Sequence, residues 1–139
     1  MNNIVTIYTD GSYSPKLKQA SWAFIVFKDN MEIYRSKGIL TGDINLMWNV
    51  GGEISAVVEA IKYCKENNYI CDIIHDYKGC FYWVGDLFGS NKCWKVKNRH
   101  TKNYRSFIEE HLKFINKFTW VKGHNGNTGN ELVDKLAKI

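Results

Sequence analysis

The chain predicts an α/β fold: a five-stranded mixed sheet, three antiparallel strands followed by parallel crossovers, flanked by helices. Three observations carry this expectation. Runs rich in β-branched and aromatic residues follow one another up to residue 40 with only short turns between them. At Glu53 the apolar period lengthens from that of a strand to that of a helix. Beyond that point strand and helix patterns alternate, as they do where strands return to one sheet through crossovers.

The elements follow in order. Asn3 to Thr9 reads as the first strand, closed by Asp10-Gly11-Ser12. Ser21 to Lys28 and Met31 to Leu40 are the next two, with Asp29-Asn30 as a two-residue hairpin turn. Short connections make these three antiparallel. From Glu53, the residues Ile54, Val57, Val58, Ile61 and Cys64 recur at helical spacing, and Asn67-Asn68 ends the helix. Ile70 to His75 is a fourth strand, and the strand–helix–strand order makes its crossover parallel. A short helix is expected from Tyr77 to Val84, a polar loop from Gly85 to Lys102, and a helix from Lys102 to Asn116. Lys117 to Lys122 is the fifth strand. After a glycine-containing loop, Thr128-Gly129-Asn130-Glu131 has the spacing of a capping box. Leu132, Val133, Leu136 and Ala137 give the last helix its buried face.

Bulk properties narrow the function. The 139 residues suit one domain, residues 1–139, and 45% hydrophobic content excludes a disordered chain. Nineteen basic against fourteen acidic side chains leave a net charge of +5, which favours an anionic partner such as nucleic acid. Cys64, Cys71, Cys80 and Cys93 contain no C-x-x-C pair, which speaks against a zinc site. The N-terminus runs directly into a strand pattern rather than a signal peptide. Free thiols and a cytoplasmic location are therefore expected. No apolar run reaches the roughly 20 residues needed to span a bilayer. Nothing in the pattern signals an oligomer, so a monomer is expected.

Four acids stand beside apolar segments: Asp10, Glu53, Asp76 and Asp134. Singly, each has an ordinary role, as a turn residue, a first-turn helix acid, a helix cap or a solvated helix residue. The topology unites them. If the first and fourth strands are parallel neighbours, Asp10 and Asp76 leave the sheet at one edge, where open α/β sheets bind ligands. Glu53 leans over that edge from the crossover helix, and Asp134 approaches from the last helix. Carboxylates gathered there repel one another unless cations join them. Oxygen ligands select Mg²⁺, with Mn²⁺ as a possible substitute, over zinc. Two such ions roughly 4 Å apart can clamp the attacking and leaving oxygens of a phosphodiester.

The motifs Thr9-Asp10-Gly11-Ser12, Glu53-Ile54-Ser55-Ala56, Asp76-Tyr77 and Val121-Lys122-Gly123-His124-Asn125-Gly126, with Asn130 through Ala137, together resemble type 1 ribonuclease H. The match runs in order over nearly the whole chain. The resemblance implies that Asp10, Glu53, Asp76 and Asp134 bind two Mg²⁺ ions. It matches His124 to the family's loop histidine, which helps to activate water or release product. Asn49-Val50-Gly51-Gly52-Glu53 and Asp76-Tyr77-Lys78-Gly79 are similar to a bacterial branch related to viroplasmin-type ribonuclease H. Longer members of that branch carry an N-terminal hybrid-binding module, expected to be lacking here. Two features depart from the pattern. Tyr13 to Gln19 lacks the glycines common after the first motif, and Asn49 alone remains of a paired asparagine, with Val50 in the other place.

From Lys92 to Arg105 the chain carries Lys92, Lys95, Lys97, Arg99, Lys102 and Arg105 with no acid, interleaved with Trp94 and Tyr104. Cations position phosphates, and aromatic faces pack on sugars or bases. By resemblance this segment grips the DNA strand of a hybrid. Asn49, Trp94, Lys95, Lys97, Arg99 and Lys102 are the candidate substrate-binding residues, while Trp83 is expected in the core. The expected activity is endonucleolytic cleavage of the RNA strand of an RNA/DNA hybrid, leaving 5′-phosphate and 3′-hydroxyl ends. Two alternatives remain. One is a non-catalytic nucleic-acid-binding module on the same fold. The other is a DEDD-type exonuclease, which wants a Glu where Ser12 stands.

Overall fold

A computed structural model of the protein describes residues 3–123 and 127–139. Five strands form one sheet in the order β3-β2-β1-β4-β5. β1 (Ile4–Ser14), β2 (Gln19–Lys28) and β3 (Met31–Ile39) are an antiparallel meander. Asp29 and Asn30 both take positive φ, 52° and 65°, as a hairpin turn matched to the strand twist requires. β4 (Ile70–His75) and β5 (Ile115–Trp120) add in parallel on the other side of β1.

α1 (Trp48–Asn67) and α3 (Arg99–Glu110) cover one face. The main core lies there, with Val5, Ile7 and Ile73 of the sheet against Ile54, Val57 and Ile61 of α1 and Ile108 of α3. α4 (Thr128–Ala137) packs on the opposite face, where Val133 and Ala137 meet Ala23 and Ile25. Between β4 and α3 the chain makes only a short helix, α2 (Gly79–Tyr82), and a 3-10 turn, Gly85–Phe88.

Several boundaries differ from the sequence expectation. β1 does not close at Asp10: the strand continues to Ser14, with Asp10 opposite Ala23 and Gly11 opposite Trp22. α1 begins at Trp48, a turn and a half before Glu53. Its first residues include Gly51-Gly52, which hide the helical period, and tertiary packing overrides their low propensity. α3 begins at Arg99, where Asn98 and Thr101 exchange the two hydrogen bonds of a capping box. It ends at Glu110, and β5 starts earlier than expected, at Ile115. In α4 the cap is Asn127 rather than Thr128: its side chain accepts from the Asn130 N–H at 3.0 Å. No helix among the described residues is long and apolar enough to cross a membrane.

Candidate active site

The parallel register brings the first two acids together. The last β1–β4 pair is Tyr8 with Ile74, so Asp10 and Asp76 stand two residues beyond it on adjacent segments of the chain. Glu53 arrives from α1, which crosses the sheet very closely at this point. A Cβ on Gly11 would lie 2.2 Å from the Glu53 nitrogen, and one on Gly52 would lie 2.2 Å from the Ser21 carbonyl oxygen. Only glycines at both positions allow this approach. The Gly11 N–H then donates to two acids at once, 2.8 Å to Asp10 Oδ1 and 2.9 Å to Glu53 Oε1.

Carboxylate oxygens of Asp10, Glu53 and Asp76 lie within 4.8 Å of one another. Asp10 and Glu53 are 3% and 6% exposed, and Asp76 is half-buried. Burial pushes the Asp10 carboxyl up to about 8. Repulsion from Asp76 and contact with Asp134 add to the rise, while hydrogen bonds with Glu53 and the Gly11 N–H oppose it. Glu53 is raised well above the usual carboxylate range, chiefly by burial and then by Asp10 and Asp76. Asp10 and Glu53 therefore take up protons more readily than ordinary carboxylates when nothing else offsets their charge.

These residues fit a divalent cation. The donors are all oxygen, as hard cations prefer. Asp10 Oδ2 is buried and has no hydrogen-bond partner among the described residues, which is costly unless a ligand claims it. Gly123 passes beside the cluster, where a Cβ would sit 3.4 Å from Asp76 Oδ2.

Asp134 stands apart from the tight group of three. It is half-buried on α4, its carboxyl close enough to Asp10 to raise it, and Lys138 Nζ lies 3.4 Å from its Oδ2. His124 lies outside the described residues.

The basic segment divides in two. Trp94, Lys95 and Lys97 line an open groove of about 580 Å³ with Trp83, Cys93, Asn98 and Thr101. Trp94 is 40% exposed and meets the Trp83 ring nearly at right angles, centroids 5.5 Å apart. Trp83 packs against the core and also walls this groove. The two arginines are engaged elsewhere. Arg99 pairs with Asp43, and Arg105 forks onto Asp86 at 2.7 and 2.9 Å while donating to the Trp83 carbonyl. Lys92, Lys95, Lys97 and Lys102 are exposed, with no carboxylate partner among the described residues. Asn49 is exposed in the first turn of α1, next to Trp48, whose ring lies 5.8 Å from that of Tyr13.

Sequence reasoning missed Gly11 as a shared donor, because Asp-Gly reads as a turn. It also missed the Tyr13–Trp48 pair, whose members are far apart in the chain. The glycine pair before Glu53 was the available signal of a close backbone approach.

Comparison with known proteins accords with this architecture. A family model described as RNase H matches residues 2–139. The chain is 34% identical over 142 residues to a ribonuclease H of Rickettsia bellii (strain RML369-C), covering 96% of this chain and 86% of that protein. It is 32% identical over 145 residues to a ribonuclease H of Ehrlichia ruminantium (strain Gardel), covering 98% and 93%. Among solved structures, RNase H1 from the archaeon Halobacterium salinarum NRC-1 superposes with a TM-score of 0.72 at 14% identity, covering 96% of this chain and 93% of that one. The N-terminal RNase H domain of a Mycobacterium tuberculosis protein gives 0.69 at 16% identity, covering 96% and 95%. These two speak to the fold, which they share. With a family model spanning nearly all of it and relatives above 30% identity along its length, this chain belongs to the RNase H family of hydrolases.

Proposed function

We propose that the protein is an endonuclease that hydrolyses the RNA strand of RNA/DNA hybrids, leaving 5′-phosphate and 3′-hydroxyl ends. The observation that carries this reading is the acid cluster of Asp10, Glu53 and Asp76 at the edge of the sheet, in a chain of the RNase H family. Asp10, Glu53, Asp76 and Asp134 would hold two Mg²⁺ ions, or Mn²⁺ in their place. Bound there, the ions would supply Lewis-acid stabilisation of the attacking and leaving oxygens.

The chain's own residues do the rest. Gly11 fixes the orientation of Asp10 and Glu53 through its shared N–H. Asp134 and His124 serve the water side of the reaction, with His124 moving a proton, and Glu53 and Asp76 serve the leaving-group side. A water oxygen bonds to phosphorus, the bond to the 3′ oxygen breaks, and that oxygen takes a proton. Lys95, Lys97 and Lys102 place DNA-strand phosphates, Trp94 packs on a sugar, and Asn49 contacts the backbone from α1. Arg99 belongs to this surface through its helix but spends its charge on Asp43. Recognition rests on hybrid shape and on 2′-hydroxyls of one strand, which makes cleavage independent of base sequence.

The working state is a cytoplasmic monomer. Four free thiols, three of them buried, suit a reducing compartment. The deciding experiment is incubation with labelled RNA/DNA hybrid, duplex DNA and duplex RNA, with and without Mg²⁺. Cleavage of the hybrid alone, lost without Mg²⁺ and lost in Asp10→Asn, is the expected result. Hybrid binding without cleavage would instead establish a binding module.

A further inference from the structure

Asp76 has a structural problem that the other acids lack. Asp10 lies within a strand and Glu53 within a helix, where backbone ladders hold them. Asp76 follows the last residue of β4, so its backbone and that of Tyr77 belong to no ladder. Backbone carbonyls in such a position need partners from elsewhere.

Three consecutive carbonyls find them, the first two from the end of β5 and the third from His75 of β4 itself and from the start of α2. The Val121 N–H donates to the His75 carbonyl at 2.8 Å. The Trp120 indole N–H donates to the Asp76 carbonyl at 2.9 Å. His75 Nδ1 lies 2.9 Å from the Tyr77 carbonyl, which also accepts from the Cys80 N–H at 3.1 Å. A carbonyl only accepts, so Nδ1 carries the proton and His75 is the donor. Both rings are themselves held. Lys78 Nζ lies 4.9 Å from the Trp120 ring centroid, and the fully buried His75 ring meets Phe118 edge-on at 5.8 Å.

We propose that Trp120 and His75 are positioning residues: by donating to the Asp76 and Tyr77 carbonyls, they hold the Asp76 carboxylate in the acid cluster. The proposal rests on the cation-binding role assigned to Asp76. Its physical basis is that the Asp76 carbonyl could turn to water if the indole donor were lost, while the Tyr77 carbonyl without His75 would keep only the Cys80 N–H. The fold would then survive, while the carboxylate would no longer be pre-oriented. Partners that orient a metal ligand typically matter 10–100-fold, in affinity or activity, through such effects.

The test separates orientation from folding. Trp120→Phe keeps a ring for Lys78 and removes the donor. Mg²⁺ binding by calorimetry should weaken by about tenfold, with hybrid KM and Tm nearly unchanged. Lys78→Met, which leaves the indole N–H in place, should bind Mg²⁺ as the wild type does. His75→Leu should weaken Mg²⁺ binding, and His75→Asn, whose amide can donate from near the Nδ1 position, should restore most of it. Should His75→Leu not fold, the Trp120→Phe and His75→Asn arms still decide the matter. Unchanged Mg²⁺ affinity in Trp120→Phe, or an equal loss in Lys78→Met, overturns the proposal. Asp76→Asn serves as the reference. If it is inactive while Trp120→Phe is unaffected, only the positioning role falls; if it still binds Mg²⁺ and cuts normally, the assignment of Asp76 falls and this proposal with it.

Discussion

Asp10 pays a penalty in the metal-free protein that can be read as a pH dependence. Burial raises its folded-state value from 3.8 to about 8, and Glu53 is raised with it. Between those limits the folded protein holds a proton that the unfolded chain releases. The resulting stability is full below the unfolded value and is lost as pH rises through about 8. Asp10→Asn removes the titration and should raise the Tm of the EDTA-treated protein. The gain should grow between about pH 5 and pH 8, reaching roughly 5 °C or more at the upper end. Thermal melts of both proteins across that range check this, and a gain that shrinks toward pH 8 contradicts the burial argument. The same protons compete with the cation, so the Mg²⁺ midpoint for cleavage should fall as pH rises from about 6 to about 8. Titrations of activity against Mg²⁺ at several pH values measure it.

The elements succeed or fail by how closely they can approach. α1 reaches the sheet through Gly11 and Gly52, and that contact places Glu53 beside Asp10. Gly52→Ala should push the helix outward, destabilise the protein by about 1–3 kcal/mol and reduce kcat well beyond that loss, because Glu53 moves with the helix. Chemical denaturation and steady-state kinetics together distinguish the two effects. α3 depends on a different local device. Asn98 caps it and lines the groove beside Lys97. Asn98→Ala should cost about 1 kcal/mol and chiefly raise KM, since the acid cluster lies on other elements.

For the molecule as a whole, the proposed encounter with a hybrid rests on the basic surface. Of the cations in the segment from Lys92 to Arg105, Arg99 and Arg105 are matched to acids, whereas Lys95 and Lys97 line the groove with none among the described residues. Lys95→Ala with Lys97→Ala should raise KM and flatten the log–log salt dependence of hybrid binding by roughly 1–2 units. Arg99→Ala should change it less, and the reverse ranking would show the groove to be ordinary surface. The sequence was sufficient for three antiparallel strands followed by parallel crossovers, because short turns and a strand–helix–strand order leave little choice, whereas the order β3-β2-β1-β4-β5 came from the structure. The sequence also singled out Asp10, Glu53, Asp76 and Asp134, since an acid beside an apolar segment is conspicuous, but not that only the first three form a tight group. Boundaries were less legible: Asp10-Gly11-Ser12 has turn composition yet pairs as strand, because β2 supplies partners only the fold provides. The charge pairing of Arg99 and Arg105, the double role of Trp83 and the donors around Asp76 were hidden for the same reason. Local pattern and propensity act along the chain and determined the sheet and the acids. Which side chain lies within 3 Å of which carbonyl or carboxylate depends on separate elements closing on one another, and tertiary structure alone decided that.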